Sequence, residues 1–559
     1  MGLLAISAAS MIGSRVGVAA PLLLVTGGMI VGLLPWVPPI EIEPEWILAG
    51  VLPPLLYSTA VSMPAMSFRR DFGAIGALSV VLVVLSAVLL GLFFNWVIPE
   101  LGLAWGIALG AIVSPTDAVA TSIVRRLGVS PRVVTILEGE GLLNDATALT
   151  LLRTAIAGAA ASVSLWGVAS EFVLVVLIAV VVGFVVGHVA IRVRARITET
   201  TVNTALSFTV PFLAAIPAEH LGGSGLVAAV VAGVVTGHHA PRDLSPRHRL
   251  SDRQNWRTVE FLLEGAIFLV MGLQLYGIVE DVRDEHAALG QAILVAALAL
   301  LLTVLIRAAY LAPLLVALRL RARRGARVRD WIHRERESIE ARLAAGQSSR
   351  DHRFDPTHWL PDRSQAIRTR IRRGLADIEY LLATPLGWRE GTVLVWAGMR
   401  GAVTLAAAQT LPTDTPQRPV LILIAFLVAT ASLLLQGGSL AWVIGWVRPA
   451  RPDPSADAEE RERLLTLLRA TAERVQVSQS TPPVDGDQPT DDAPDAVPNP
   501  SLDAGRLRGQ TWLAIIAAQR RVVLDARDEG TFSADLLEGA LRSLDADEIA
   551  IRLRGNRDT

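Results

Sequence analysis

"PRVVTILEGEGLLNDATALTLLRTAIAG" (residues 131–158) is an apolar run long enough to cross a bilayer, yet it carries Glu140, Asn144 and Asp145 in its middle. A spanning helix needs about 20 mostly apolar residues. An ionisable group deep inside one is costly, and its default reading is function. The rest of the chain agrees with a membrane reading. Of the 559 residues 52% are hydrophobic and 18% are charged, and the mean hydropathy is +0.47. A soluble chain keeps about 25% charged residues, and here the charges are bunched between apolar runs. An ordinary soluble enzyme is thereby excluded. The 51 basic residues against 52 acidic ones leave a net charge of -1, so no basic bias points to nucleic acid. With no cysteine there is no disulfide framework, thiolate metal site or cysteine nucleophile. Every basic residue is arginine, which removes a Schiff-base lysine and a P-loop lysine.

Further runs of spanning length lie at 17–37, 46–63, 73–97, 104–124, 166–191, 201–218, 222–238, 255–276, 288–317, 391–411 and 418–447. A shorter uncharged run at 2–14 brings the expected total to about thirteen. It lacks a basic n-region and a small-residue cleavage site, so it does not read as a signal peptide. Every second connection is rich in arginine: Arg15; Arg69 and Arg70; Arg125, Arg126 and Arg132; Arg192, Arg194 and Arg196; Arg242, Arg247, Arg249 and Arg253; then 318–390. The alternate connections are acidic or neutral, as in "EIEPE" (41–45) and "EDVRDEH" (280–286), with Arg283 and Arg418 as exceptions. The positive-inside rule makes the arginine-rich side cytoplasmic. The N-terminus is then outside and the C-terminus inside, in a plasma (inner) membrane.

The transmembrane domain is read as 1–450, with a cytoplasmic insertion at 318–390 whose "RERESIEAR" and "RIRRGLADIEY" suggest short charged helices. After it come a helix at 451–477, a Pro/Asp/Ser-rich linker at 478–505 that cannot bury a core, and a helical tail at 506–559. From 451 onward 14 arginines face 21 acids. The tail has no Gly-rich phosphate loop; it is the expected place for a regulatory ligand or partner.

Depth singles out a few residues. Asn144 and Asp145 sit at the midpoint of 131–158, Ser114-Pro115-Thr116-Asp117 at that of 104–124, Arg400 at that of 391–411, and Glu264 at that of 255–276. Pro115 lacks an N–H and breaks its helix; "AGMRGAV" (397–403) flanks Arg400 with glycines. Two interrupted spans running in opposite directions are the signature of a secondary transporter. A buried Glu–Arg pair alone is as often structural as functional. The GxxxG motifs at 106–110, 183–187 and 233–237 read as close helix packing. Glu138, Glu260, Glu264, Arg153 and Arg307, in or near spans, are expected to serve structural pairing or to line an entry funnel, with Glu138 and Glu264 as accessory candidates.

"SPTDAVATSIVRRLGV" (114–129) followed by "LEGEGLLNDATAL" (137–149) closely resembles the signature of sodium/proton exchangers of the monovalent cation:proton antiporter-1 family (NhaP/NHE type). "LPPLLY" (52–57), "GGSGLVAAVVAG" (222–233), "FLLEGAIFLVMGLQL" (261–275), "GMRGAVTLA" (398–406) and "LLLQG" (433–437) support the likeness. "AAQRRVVLDARDEG" and "LRSLDADE" resemble the C-terminal helices of bacterial members. The resemblance implies an all-α polytopic membrane protein, a homodimer in the lipid bilayer. Each protomer would hold inverted six-helix repeats with two broken, crossing helices. It implies Na⁺ or Li⁺ exchange for H⁺ by alternating access, with Asp145 as the shared ion and proton site and Asn144 as its neutral neighbour. Thr116 and Asp117 would lie at the helix crossing, and Glu140 would pair with Arg400. The Asn-Asp pair marks the electroneutral branch. Gly141 departs from the usual Ser, which removes a hydroxyl ligand.

The chemistry is consistent with this. Na⁺ wants several hard oxygens; Asp145 offers a carboxylate, Thr116 a hydroxyl and a freed carbonyl. Gly141, one turn before Asp145, leaves room for a water. A carboxylate in apolar surroundings favours its protonated form, so H⁺ competes with Na⁺ for one group. No histidine lies near the midplane; His188, the nearest, is at a span end. No cofactor is expected. A K⁺/H⁺ exchanger could use the same site. A channel would need a continuous pore, and an intramembrane enzyme would need a motif such as HExxH or GxSxG, neither of which occurs.

Overall fold

The computed structural model describes residues 1–35, 37, 42–160, 165–284, 289–344, 373–451, 453–480 and 500–555. Among them there is no β-strand. The apolar runs become helices because only a helix satisfies its own backbone in hydrocarbon. In chain order they are α1 (Gly2–Val16), α2 (Ala20–Gly32), α3 (Trp46–Ser62), α4 (Ala65–Val97), α5 (Gly102–Val113), α6 (Val119–Arg126), α7 (Pro131–Ala160), α8 (Leu165–Ala195), α9 (Thr200–His220) and α10 (Gly225–Asp243). There follow α11 (Pro246–Leu273), α12 (Leu275–Asp284), α13 (Leu289–Ala344), α14 (373–383), α15 (Trp388–Trp396), α16 (Ala402–Gln409), α17 (Arg418–Val447), α18 (Pro454–Ser480), α19 (Pro500–Glu529) and α20 (Ala534–Gly555).

The chain divides into two compact units. The first comprises Met1–Ala240, Ser251–Arg324 and Thr384–Arg451, and contains the apolar helices. Its helices approach closely where glycines allow it. A Cβ on Gly106 would stand 2.6 Å from the Gly91 carbonyl of α4, and one on Gly233 would stand 2.8 Å from the Tyr57 carbonyl of α3. Gly183 packs against the α10 backbone in the same way. The GxxxG motifs are therefore packing seams, as read from the sequence.

The second unit comprises Pro241–Leu250, Gly325–Ala383 and Pro452–Thr559. Helices α18, α19 and α20 share a small core of Leu464, Ile516, Val523, Leu524, Leu537 and Leu541. Gly530, at φ +74°, turns the chain between α19 and α20. Arg249 is buried and bonds both carboxylate oxygens of Asp545, one of them at 3.0 Å; Arg520 bonds Asp545 at 3.0 Å and Glu548 at 2.7 Å. The connection at 241–250 thus belongs with the tail, which its sequence did not announce.

The insertion also differs from expectation. The span at 288–317 does not stop but continues as one helix to Ala344. Arginine and glutamate are good helix formers, and nothing between 318 and 344 breaks the helix. Of the expected insertion, 345–372 lies outside the described residues, as does 481–499 of the expected linker.

Candidate functional site

Two helices break at the same place. Pro115 ends α5, and residues 114–117 are non-helical before α6. The glycines around Arg400 likewise leave 398–401 non-helical between α15 and α16. The two open segments cross: the Asp117 N–H donates to the Met399 carbonyl at 2.8 Å, and Arg400 Nε donates to the Val113 carbonyl at 2.9 Å. Gly401 is required here, because a Cβ on it would run into the Asp117 carboxylate. Asp117 Oδ1 accepts from the Val119 N–H at 2.8 Å and caps α6. Its carboxylate therefore lies at the start of both half-helices, α6 and α16, where the helix dipoles favour an anion.

Helix α7 passes this crossing with its central polar residues facing it. Asn144 Nδ2 donates to Thr116 Oγ1 at 2.6 Å, and Thr116 Oγ1 donates to Glu140 Oε1 at 3.2 Å. The Thr116 hydroxyl therefore links Asn144 to Glu140 and is less free to serve a cation than expected. Asp145 is 7% exposed, and its Oδ1 is buried without a hydrogen-bond partner among the described residues. Leaving a buried polar atom unmade costs about 1–3 kcal/mol, so a ligand or water at this atom is chemically called for. Beside Gly141 the space is open: a Cβ there would meet only the Thr116 carbonyl, at 4.0 Å.

The expected Glu140–Arg400 pair is not formed. Glu140 is held by Arg307 of α13, which bonds both carboxylate oxygens, with Nη2 to Oε2 at 2.7 Å. Arg307 Nε also donates to the Leu394 carbonyl at 2.9 Å. Arg400 spends its donors on the carbonyls that the helix breaks expose, those of Val113 and Gly398. A guanidinium beside freed carbonyls is satisfied locally, which leaves the carboxylate to the arginine that approaches it squarely. Gly398 makes room, since a Cβ on it would collide with the Arg307 guanidinium.

Asp145, Asp117, Thr116, Gly141, Glu138 and Glu264 all line one cavity of about 210 Å³. Its wall also includes Arg125, Glu260 and Thr404. Asn144, Glu140 and Arg400 lie behind that wall. Glu138 pairs with Arg125, whose side chain is 64% exposed, so the cavity reaches towards the arginine-rich face. Sequence reasoning gave Arg307 no partner and passed over Thr404. The signal for Arg307 was a lone charge within the run at 288–317. For Thr404 only its place one turn after Gly401 could have served.

Over residues 2–338 and 370–446 the sequence matches the family profile described as sodium/hydrogen exchanger, transmembrane. It is 28% identical over 473 residues to an uncharacterized Na(+)/H(+) exchanger of Mycobacterium bovis, covering 83% of this chain and 76% of that one. It is 27% identical over 461 residues to the low-affinity Na(+)/H(+) antiporter NhaS1 of Synechocystis, covering 81% and 74%. The fold is similar to that of the sodium proton antiporter MjNhaP1 of Methanocaldococcus jannaschii, with a TM-score of 0.55 and 17% identity, over 79% of this chain and 95% of that one.

Proposed function

The chain belongs to the sodium/hydrogen exchanger family, and from that premise we propose that it exchanges Na⁺ or Li⁺ for H⁺ by alternating access, with Asp145 as the shared site. The observation that carries this reading is Asp145, which lines a cavity at the crossing of two broken helices and whose buried Oδ1 has no hydrogen-bond partner among the described residues. A dehydrated Na⁺ finds there a carboxylate oxygen, the Thr116 carbonyl and room for water beside Gly141. A proton on the same carboxylate removes the charge that holds the cation, so the two ligands exclude one another. Competition at one group is enough for exchange when the empty, charged site seldom reorients.

The surrounding charges favour an electroneutral cycle. Asp117 is answered by the N–H of Val119 and two helix N-termini, and Asn144 carries no charge. Glu140 and Arg307 neutralise each other and fasten α7 to α13. At the helix crossing, Asp145 is then the carboxylate that alternates between Na⁺ and H⁺. The cavity reaches towards Arg125, which by the positive-inside rule faces the cytoplasm. The protein works as a homodimer in the inner membrane, with inverted repeats, N-terminus outside and C-terminus inside. The cation is cargo, and no cofactor takes part.

The test is proton movement in proteoliposomes carrying a pH-sensitive dye, with NaCl, LiCl and KCl added separately. Dequenching by Na⁺ and Li⁺ is expected. A response to K⁺ alone would replace the substrate by K⁺, and no response to any of the three would overturn the exchanger reading.

A further inference from the structure

The cavity holds more negative charge than one alternating carboxylate accounts for. Glu138 is paired with Arg125. Asp117 caps α6. Glu260 accepts from Ser58 at 3.5 Å and feels Arg125 and Arg257. Besides Asp145, this leaves Glu264. It lines the same cavity, and its charged neighbours, Asp117 and Glu260, are both acids. Among the described residues no arginine answers it. A second oxygen is equally unclaimed: Thr404, on the first turn of α16, is fully buried on the cavity wall, and its hydroxyl has no hydrogen-bond partner among the described residues. Thr404 lies one turn from Gly401, against which the Asp117 carboxylate packs. Glu264, Thr404 and Asp117 thus line one and the same cavity.

We propose that Glu264 and Thr404 form a second station for a monovalent cation in this cavity, additional to Asp145. The inference rests on the exchanger reading and deepens it. A carboxylate and a hydroxyl are hard oxygen donors suited to Na⁺, and water completes the shell. A cation between Glu264 and Asp117 relieves the repulsion of two carboxylates in a medium of low dielectric constant. The station receives the ion and hands it on to Asp145, so that each turnover still moves one cation against one proton.

Equilibrium binding of ²²Na⁺ to the purified full-length protein in detergent tests this. The natural chain should hold two ions per protomer and Glu264→Gln one. Asp145→Asn should keep one saturable site, which Asp145→Asn/Glu264→Gln lacks. Thr404→Val should weaken that remaining site about tenfold, as for loss of one ligand to a charged group. In proteoliposomes Glu264→Gln should raise the half-saturating Na⁺ concentration about tenfold while changing the maximal rate far less. The second station is overturned if Glu264→Gln binds as many ions as the natural chain. It is also overturned if Asp145→Asn, eluting like the natural protein on size exclusion, binds none. A natural chain that binds neither Na⁺, Li⁺ nor K⁺ would overturn the exchanger reading instead.

Discussion

Glu140→Gln removes the anion from a pair in which both side chains are only 2% exposed. Arg307 keeps its 2.9 Å bond to the Leu394 carbonyl, but its two outer nitrogens then face an amide with a single acceptor. One charge-assisted bond and the whole Coulomb attraction are lost, and breaking a buried pair in this way costs about 3–5 kcal/mol. Arg307→Met leaves the carboxylate, which keeps the 3.2 Å bond from Thr116 and can take up a proton, so about 2–3 kcal/mol is expected. The double variant removes both charges. Because apolar replacement of a buried pair is often nearly neutral, it should be more stable than Glu140→Gln alone. The coupling energy should exceed about 1.5 kcal/mol, within the range for residues in direct contact. Arg400→Gln, alone and with Glu140→Gln, serves as the comparison: Arg400 shares no hydrogen bond with Glu140, so its coupling should be well below that of Arg307. The assay is unfolding in detergent, with the natural chain and all variants measured in one buffer. If Glu140 couples more strongly to Arg400 than to Arg307, or if the Glu140→Gln/Arg307→Met variant is no more stable than Glu140→Gln, then Arg307 is not the partner of Glu140.

Gly401→Ala should abolish transport and lower the melting temperature, because its Cβ meets the Asp117 carboxylate, whereas Gly141→Ser enters open space and should fold normally; uptake and melting curves of the two check this. A membrane potential imposed with valinomycin should not drive Na⁺ uptake at equal pH, and protein-dependent uptake would require a second titrating group in the cycle. Arg249→Ala should free the tail, because it strips Asp545 of its main partner at a cost of about 3 kcal/mol; limited proteolysis should then cut the chain after 452 faster than in the natural protein.

Much of the site was legible because depth is written into an apolar run. Asp145, Asn144, Glu140 and Asp117 stand near the centres of their spans, and Pro115 and the glycines of 398–401 announce the breaks through missing N–H groups and backbone freedom. Arg307 shows where such reading stops. Like Glu140, it sits a few residues from the midpoint of its run, but no proline or glycine beside it marks a break, whereas Arg400 stands at a midpoint between glycines. The freed carbonyls that occupy Arg400 exist only once the two segments cross, which no single run displays. The long helix α13 was hidden for a different reason: its second half is polar, and hydropathy marks the end of a span, not the end of a helix. The grouping of 241–250 with the tail depends on Arg249 meeting Asp545 across 296 residues of sequence, a pairing that no local pattern encodes.

Exchange at a single carboxylate requires that Asp145 carry both cargoes. The decisive variant is Asp145→Asn, reconstituted beside the natural protein and assayed for proton movement on a Na⁺ pulse. Asparagine keeps the size and an oxygen ligand but can neither release a proton nor supply the charge that holds the cation. No Na⁺-driven dequenching is expected from a variant whose size-exclusion profile matches that of the natural chain. Dequenching at a substantial fraction of the natural rate would contradict a shared site at Asp145.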